Sequence, residues 1–450
     1  MQDKRYFYIL IVFLLLLGGY AAFSAKVNFH DSFEYITVAK RLAGVNNLDI
    51  FITHSSLYPF FISLFLNIWP SLTMIKLVNV SWAFLTGLVL LVSFKNKKAF
   101  LLFAFSPLVW YMAIQTNPIV PASFFFFLSY FFLKKEEIKF NRLLSGFFLG
   151  LSTALYAPVG IIAALFILVY FWQERFSDFF KYAIMFFVGL LPEMIVDLFV
   201  FGNPLYTLIR HNSNLLLVIF GLQSGGQNLA LLSNLRVLLA FFVISPLLFK
   251  LYKLNIRENK RDVIFLSLYS IIVILSGKGL AFFLVITPIL LLHLSSVLKK
   301  KEIRLNGVIS IFLIVFMIWS SFGATNDALL QRDLSNIVGD FDEDYFVAQK
   351  FKANNFATFL WSEAPKIVWM EDYDASKNNE TYLRGYNFEF RPEKIRLNNV
   401  LEFSASFNRY DPSVDYEDSF FIFEKGEVGE DFAIVKCYDV LCVAKEKQSF

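Results

Sequence analysis

Long apolar blocks, separated by short clusters of basic residues, occupy the first two thirds of the chain. The first block, Tyr6–Phe23, follows Lys4 and Arg5. It predicts an uncleaved membrane span rather than a signal peptide, because it is long for a signal-peptide core. Further spans are predicted at 72–94, 99–116, 118–133, 142–157, 159–172, 180–200, 229–251, 262–277, 279–298 and 305–322. The blocks do not alternate apolar and polar positions, which excludes a transmembrane β-barrel.

Segment 55–69 is also apolar, but the basic residues argue against its crossing. If it does not cross and the N-terminus is cytoplasmic, every basic cluster between spans falls on the cytoplasmic side, as the positive-inside rule requires. These clusters lie at 95–98, 134–142, 175–181, 250–261 and 299–304. If the segment crossed, each cluster would lie outside. We therefore expect 55–69 to lie in or dip into the outer membrane face, which leaves about eleven spans and an extracytoplasmic C-terminus.

The composition changes at about residue 323, beyond which polar residues are frequent and no run could span a membrane. We predict a transmembrane domain at 1–322 and a small extracytoplasmic α+β domain at 323–450. Residues 342–355 predict a helix in the second domain. Three runs predict strands: Lys366–Met370, Phe420–Phe423 and Ala433–Cys437.

The two cysteines of the chain, Cys437 and Cys442, both lie in this tail. Outside the cell they can pair across a hairpin as a disulfide. Two free thiols in a strand are the alternative, and the sequence leaves both open.

Composition supports the membrane assignment and excludes other classes. The chain is 57% hydrophobic and 17% charged, with a mean hydropathy of +0.57. Soluble domains carry about 25% charged residues. The net charge is only +4 and the basic residues sit in short clusters between apolar runs, which excludes a nucleic-acid binder. The fold class is an α-helical polytopic membrane protein with juxtamembrane helices and a small α+β tail.

Polar residues from many parts of the chain gather on the predicted outer face, where they suit an active site that opens outward. They are His30, Asp31, Glu34, His54, Tyr58, Gln115, Asn117, Glu193, Asp197, Arg210, His211, Arg236 and Lys278. Some have plainer explanations. Glu193 and Asp197, four residues apart, can simply approach the aqueous interface. Arg236 and Lys278 can extend to lipid headgroups.

Four short motifs follow one another along residues 1–322: His30–Tyr35, with Leu42 beyond it; His54–Pro59; Phe201–Leu205; and Ser276–Leu280, with Pro288 beyond it. In this order and spacing they resemble the C-type, polyprenyl-phosphate-sugar-dependent glycosyltransferases. The first resembles the Asp and Tyr at the start of the family's first external loop. The second resembles its His-Pro-Pro-Leu-Tyr-Pro run, with Ser at both Pro positions. The others resemble its Phe-Gly-Asn-Pro signature and the Ala-Lys-Gly segment of the aminoarabinose and mannosyl transferases.

The resemblance implies a plasma-membrane enzyme that moves a sugar from a polyprenyl-phosphate donor to a protein, lipid or glycan acceptor on the outer face. It implies that Asp31 is the base or orienting carboxylate and that Glu34 assists. Arg210 and Lys278 suit stabilisation of the departing phosphate. The substrate-binding candidates are His54, Tyr58, Asn117, Asp197, Arg210, His211 and Lys278.

Two departures from the family pattern leave the cofactor open. Many members carry a second acid beside the first-loop Asp, where this chain has Ser32 and, nearest to it, Glu34. Many also carry an acid at the outer turn before the 118–133 span, where this chain has Gln115 and Asn117. A divalent cation, Mg or Mn, is one option, and a divergent or inactive member is another.

Other classes of membrane protein remain alternatives. A membrane glycan polymerase or ligase would carry arginines and histidines in a large external loop late in the chain. Arg210 and His211 give this alternative slight support. A flippase or transporter for lipid-linked sugars would show polar groups at mid-membrane and internal repeats, and the sequence has neither. A receptor with an outer domain would leave the order of the four motifs unexplained.

Overall fold

The computed structural model of the chain describes residues 2–23, 32–44, 54–135, 137–171, 176–219, 241–275, 280–322, 346–348, 367–369 and 419–447, together with isolated residues between 329 and 341. Most of the predicted span 229–251 therefore lies outside the described residues. The described part consists of an apolar helical bundle and a small C-terminal sheet.

The helices run in chain order through the bundle. They are α1 (Gln2–Phe23), α2 (Ser32–Leu42), α3 (Leu57–Leu66), α4 (Leu72–Leu88, extended by a π-helical turn at Val89–Ser93), α5 (Lys97–Ala104), α6 (Pro107–Ala113), α7 (Ile119–Lys134), α8 (Asn141–Leu155), α9 (Val159–Phe171), α10 (Phe176–Phe201), α11 (Tyr206–Ile219), α12 (Lys260–Leu275), α13 (Thr287–Val297) and α14 (Lys300–Phe322). Two 3₁₀ segments, Leu248–Lys253 and Leu280–Val285, precede α12 and α13.

Within the described part, four helices are long and apolar enough to cross a membrane: Lys4–Phe23, Leu72–Ser93, Asp178–Phe199 and Lys300–Trp319. Each lies within a few residues of a predicted span. Shorter apolar helices occur at Leu57–Leu66, Ile119–Lys134, Val159–Phe171 and Thr287–Val297. The chain is thus a multi-pass helical membrane protein, whereas the count of eleven spans stays a prediction.

Two predicted spans are broken rather than continuous. The 99–116 block forms the separate helices α5 and α6, because Ser106 is extended and Pro107 begins a new helix. Proline lacks the N–H that a continuing helix needs, so it suits a first turn. The 279–298 block is likewise a 3₁₀ segment followed by α13, in which Pro288 lies in the first turn.

Glycines bring α8 and α10 into close contact. A Cβ atom added at Gly150 would lie 1.9 Å from the Phe186 carbonyl oxygen, and one at Gly189 would lie 2.1 Å from the Phe147 carbonyl oxygen. Neither position can hold a larger residue unless the two helices separate. Small residues at such interfaces let helix backbones approach closely in membranes. This contact fixes α10, the helix that carries Glu193 and Asp197, against the bundle.

The C-terminal sheet has five described strands: β1 (Phe346–Ala348), β2 (Ile367–Trp369), β3 (Phe420–Glu424), β4 (Phe432–Cys437) and β5 (Leu441–Glu446). Their order is β2-β1-β3-β5-β4. Strand β1 pairs in parallel with β2 and β3, and β5 pairs antiparallel with β3 and β4. The three predicted strands are confirmed.

The predicted helix at 342–355 is wrong over Phe346–Ala348, which form strand β1. Phe346 and Val347 are buried, and β1 lies between β2 and β3. Burial within a sheet has overridden the local pattern that suggested a helix. Elsewhere in this sheet, Cys437 and Cys442 are paired in register on β4 and β5 and form a disulfide, with Cα atoms 4.0 Å apart. Of the two alternatives left open by the sequence, the structure contains the disulfide.

Candidate active site at one end of the helical bundle

Glu193 on α10 holds the start of α3. Its carboxylate accepts hydrogen bonds from the main-chain N–H of Ser56 at 3.1 Å, from the Ser56 hydroxyl at 2.9 Å and from the main-chain N–H of Leu57 at 3.3 Å. Only 4% of Glu193 is exposed. The first N–H groups of a helix have no partners within the helix and favour negative charge. Glu193 therefore acts as a cap supplied by a helix distant in sequence.

Asp197, one turn further along α10, holds the start of α11 in the same way. Its carboxylate accepts the main-chain N–H of Thr207 at 2.8 Å and the Thr207 hydroxyl at 2.6 Å. The turn between the two helices contains Gly202, whose φ of +69° favours glycine, and Asn203, whose side chain accepts the N–H of Leu205 at 3.0 Å. The Phe-Gly-Asn-Pro motif thus builds the turn that leads into α11.

The two capped helices bring His54 and His211 together. His54 immediately precedes the segment that Glu193 holds, and His211 lies on α11. Their rings are stacked, with centroids 5.0 Å apart. The ring of Tyr35 on α2 lies 5.6 Å from that of His54, and Tyr35 packs edge-on against Tyr58 at 5.3 Å. Three segments that are distant in sequence therefore meet at this ring cluster, which we define as Tyr35, His54, Tyr58 and His211.

Tyr58 also belongs to a buried hydrogen-bond network with Asn79 and Asn117. Its hydroxyl donates to the Asn79 side chain at 3.1 Å, and burial raises the pKa of Tyr58, so the phenol stays protonated. Asn79 donates to the main-chain oxygen of Asn117 at 3.0 Å. The Asn117 side chain is fully buried; it donates to the main-chain oxygen of Met112 at 2.9 Å and accepts the N–H of Ile119 at 3.1 Å. Asn117 therefore shapes the start of α7, and its predicted contact with substrate stays a prediction.

The hydroxyls of the two serines that replace the prolines of the family motif differ in their hydrogen bonding. The Ser56 hydroxyl is held by Glu193, as described above. The Ser55 hydroxyl is buried and has no hydrogen-bond partner among the residues that the structure describes. A buried hydroxyl without a partner is uncommon in native structures. It lies directly between His54 and the cap of α3.

Four predicted site residues, Asp31, Glu34, Arg236 and Lys278, have no described side chain. Asp31 lies outside the described residues, immediately before the first residue of α2. Glu34 is in the first turn of α2, but its side chain is not described. Arg236 and Lys278 also lie outside the described residues. Arg210 is buried on α11, one turn after Tyr206, and its charge opposes the rise that burial causes in the Tyr206 pKa.

Two residues of the site were not predicted as functional. Tyr35 was noted only as part of the first motif, although its ring contacts both His54 and Tyr58. Asn79 was hidden inside a predicted span; its amide among apolar neighbours was the signal that could have revealed it.

In the part of the chain that the structure describes, no group of three or more His, Cys, Asp or Glu side chains could hold a metal ion. Asp31 and the Glu34 side chain lie outside that part, so the predicted choice of a divalent cation stays a prediction. No step below is assigned to a metal.

The described geometry is that of a polytopic helical protein with polar and aromatic residues converging at one end. No family model matches the chain, and no curated protein matches it. Among solved structures, the chain is similar to ArnT from Cupriavidus metallidurans bound to undecaprenyl phosphate. The TM-score is 0.65 at 8% identity, and the match covers 98% of each chain. At this identity the match shows the fold alone, and that fold agrees with the one that the sequence resemblance implies.

Proposed function

We propose that this chain is a membrane glycosyltransferase that moves a sugar from a polyprenyl-phosphate donor to an acceptor on the outer face of the plasma membrane. The observation that carries the proposal is the ring cluster, in which His54 and His211 are stacked by two helices that the acids of α10 hold in place. It is supported by the fold shared with ArnT, which binds undecaprenyl phosphate. The structure of the site suits positioning of a substrate, because its polar groups are fixed before any ligand arrives.

In the proposed reaction, Asp31 orients the acceptor and takes its proton. The acceptor oxygen or nitrogen forms a bond to the anomeric carbon, the bond from that carbon to the phosphate oxygen breaks, and the electron pair leaves with the polyprenyl phosphate. A positioned carboxylate of this kind typically contributes about 10²–10⁴-fold to the rate. Glu34, one turn further along the chain, assists Asp31 or holds a divalent cation.

Cationic groups stabilise the negative charge that develops on the departing phosphate. Lys278 and Arg210 are the proposed groups, because a lysine suits a mobile phosphate and an arginine can donate to two of its oxygens. Arg210 lies one residue before His211 on α11, so the helix that carries the stacked ring also carries a cation.

The other candidate residues divide by role. His54 and His211 are proposed to contact donor or acceptor through their ring edges, together with the unpartnered Ser55 hydroxyl. Tyr58 and Asp197 are proposed to fix the surrounding helices, because their polar atoms already contact Asn79 and Thr207. The acceptor can be a protein, a lipid or a glycan.

The substitution Asp31→Asn tests the proposed base. Asn has nearly the same shape, so only the charge and the ability to accept a proton are lost. With a labelled polyprenyl-phosphate sugar, transfer should fall by about 10²–10⁴-fold while the protein remains folded in the membrane. Lys278→Ala should lower transfer less and weaken donor binding as well, because the phosphate is present before the reaction.

Asp431→Asn, on an exposed turn of the C-terminal sheet, is the matched control and should leave the transfer rate unchanged. If Asp31→Asn transfers sugar at the wild-type rate, Asp31 only caps the helix that follows it, and the proposed assignment of the base is wrong. Mass spectrometry of surface glycans from cells with and without the gene would then show whether any transfer occurs.

A further inference from the structure

The disulfide of the C-terminal sheet joins an exposed residue to a buried one. Cys437 is the last residue of β4, the edge strand of the described sheet, and it is exposed. Cys442 lies directly opposite on β5, and only 2% of it is exposed. Thiol–disulfide exchange begins when an incoming thiolate attacks one of the two sulfur atoms. The difference in exposure makes Cys437 the residue that solvent can reach and Cys442 the residue whose sulfur leaves.

Hydrogen bonds close the hairpin around this disulfide independently of the covalent bond. Tyr438 donates its main-chain N–H to the carbonyl oxygen of Leu441 at 2.8 Å. Asp333, which is 1% exposed, accepts the main-chain N–H of Val440 at 2.7 Å and that of Leu441 at 3.1 Å. The turn between the two strands is thus fixed by a buried carboxylate. The two thiols would therefore stay opposite each other after reduction.

A second acid attaches the same hairpin to the chain that leaves the membrane helices. The Asp340 carboxylate accepts hydrogen bonds from the Lys436 side chain at 2.6 Å and from the Tyr438 hydroxyl at 2.7 Å. Asp333 and Asp340 both lie between the end of α14 and the start of β1. The hairpin is therefore anchored at both of its strands by non-covalent contacts, and its position does not depend on the disulfide.

The disulfide closes a loop too short to explain the bond by stability. Only the four residues Tyr438–Leu441 separate the two cysteines. In the chain-entropy account, a disulfide stabilises a fold by restricting the unfolded chain, and this effect becomes smaller as the closed loop becomes shorter. Disulfides that serve stability resist reduction, whereas exposed disulfides are the ones that exchange readily. The short loop, the exposed Cys437 and the independent anchors all favour exchange over a purely structural role.

We propose that Cys437 and Cys442 form a reversible redox site that exchanges with a protein dithiol outside the cytoplasm. One thiolate of the dithiol attacks the Cys437 sulfur and forms a mixed disulfide; the bond to Cys442 breaks, and the Cys442 thiolate takes up a proton. The second thiolate of the dithiol then attacks its partner sulfur in the mixed disulfide, which releases Cys437 as a thiol. Two electrons and two protons pass from the dithiol to the cysteine pair. The proposal is independent of the proposed sugar transfer.

Reduction of the full-length protein in detergent with dithiothreitol tests the site directly. In the reduced, folded protein a maleimide should label Cys437 alone, and it should label both thiols once the protein is denatured, because Cys442 is buried. Amide hydrogens of residues 432–446 should remain protected from exchange after reduction. Glutathione disulfide should restore the bond and abolish labelling. A disulfide that is reduced only in denaturant, or a hairpin that loses its protection on reduction, would overturn the proposal.

Two single substitutions, each the control of the other, test which sulfur is attacked. Cys442→Ser leaves the exposed Cys437 thiol, which should form a mixed disulfide when the folded protein is incubated with glutathione disulfide. Cys437→Ser leaves the buried Cys442 thiol, which should form none until the protein is denatured. Intact-protein mass spectrometry detects the glutathione adduct. An adduct on both folded variants, or on neither, would contradict attack at Cys437 and overturn the proposed site.

Discussion

At the scale of single residues, the two acids of α10 explain how the site is assembled. From the sequence, Glu193 and Asp197 were as consistent with an aqueous interface as with a function. In the structure each is buried, and each holds the first turn of another helix. Because the two are one helical turn apart, a single face of α10 sets the positions of both α3 and α11. The stacking of His54 on His211 depends on that face.

Replacing Glu193 should therefore affect both stability and transfer. Glu193→Ala leaves the N–H groups of Ser56 and Leu57 buried without an acceptor, which should lower the free energy of unfolding by about 1–3 kcal/mol. The transfer rate should fall too, because His54 loses its fixed position. Glu137→Ala, on an exposed loop, is the control and should change neither quantity. Thermal unfolding in detergent and the transfer assay measure the two effects; an unchanged Glu193→Ala protein would contradict the proposed cap.

At the scale of helices, the contact between α8 and α10 determines where those acids lie. The added Cβ positions at Gly150 and Gly189 would each fall within 2.5 Å of a main-chain oxygen on the other helix. Glycine at these positions is thus required by the distance between two backbones and not by a turn. Separation of the helices would move Glu193 away from Ser56.

Gly150→Ala should destabilise the protein by about 1–3 kcal/mol, the usual cost of forcing additional atoms into a packed contact. Transfer should fall with it. Gly307→Ala on α14 is a matched control, because a Cβ there meets nothing within 4 Å. Alanine also favours a helix more than glycine by about 1 kcal/mol. The unfolding temperature should therefore drop for Gly150→Ala and stay equal or rise for Gly307→Ala, and equal behaviour of the two variants would disprove the close contact.

At the scale of the whole molecule, the orientation of the chain is a prediction that the disulfide supports. The pairing of Cys437 with Cys442 suits an oxidising compartment, since cytosolic thiols are normally kept reduced. The positive-inside rule independently predicts that the same C-terminal sheet is extracytoplasmic. The ring cluster would then open on the outer face.

Thiol labelling of intact cells tests this orientation. A maleimide reagent should fail to label Cys437 and Cys442 in the unreduced protein and should label both after reduction and unfolding, because Cys442 is buried in the folded sheet. A reporter enzyme that is active only outside the cytoplasm, fused after residue 322, should be active. Labelling without reduction would contradict the disulfide. A reporter located in the cytoplasm would contradict the predicted orientation and, with it, the predicted outward opening of the site.

The sequence was most informative about the positions of membrane helices, which depend on the average hydropathy of a segment. Hydropathy located α4 with its π-helical extension to within a residue of the predicted 72–94 span. It missed the break at Ser106 and Pro107, because the mean hydropathy of an apolar block is the same whether or not its helix is continuous. It could not assign the partners of Glu193, which lie 137 residues away. The second motif contains His54, and His211 is one of the polar residues predicted on the outer face, but only the folded chain shows that their rings meet.

The most direct test of the proposed donor site is an experimental structure of the full-length protein with undecaprenyl phosphate bound. We expect the phosphate to lie beside the ring cluster, within about 3 Å of the Arg210 or Lys278 nitrogen atoms, with Asp31 on the side from which an acceptor would approach. The polyprenyl chain should follow a groove between helices. A phosphate bound elsewhere on the protein, with the ring cluster empty, would contradict the assignment of the site.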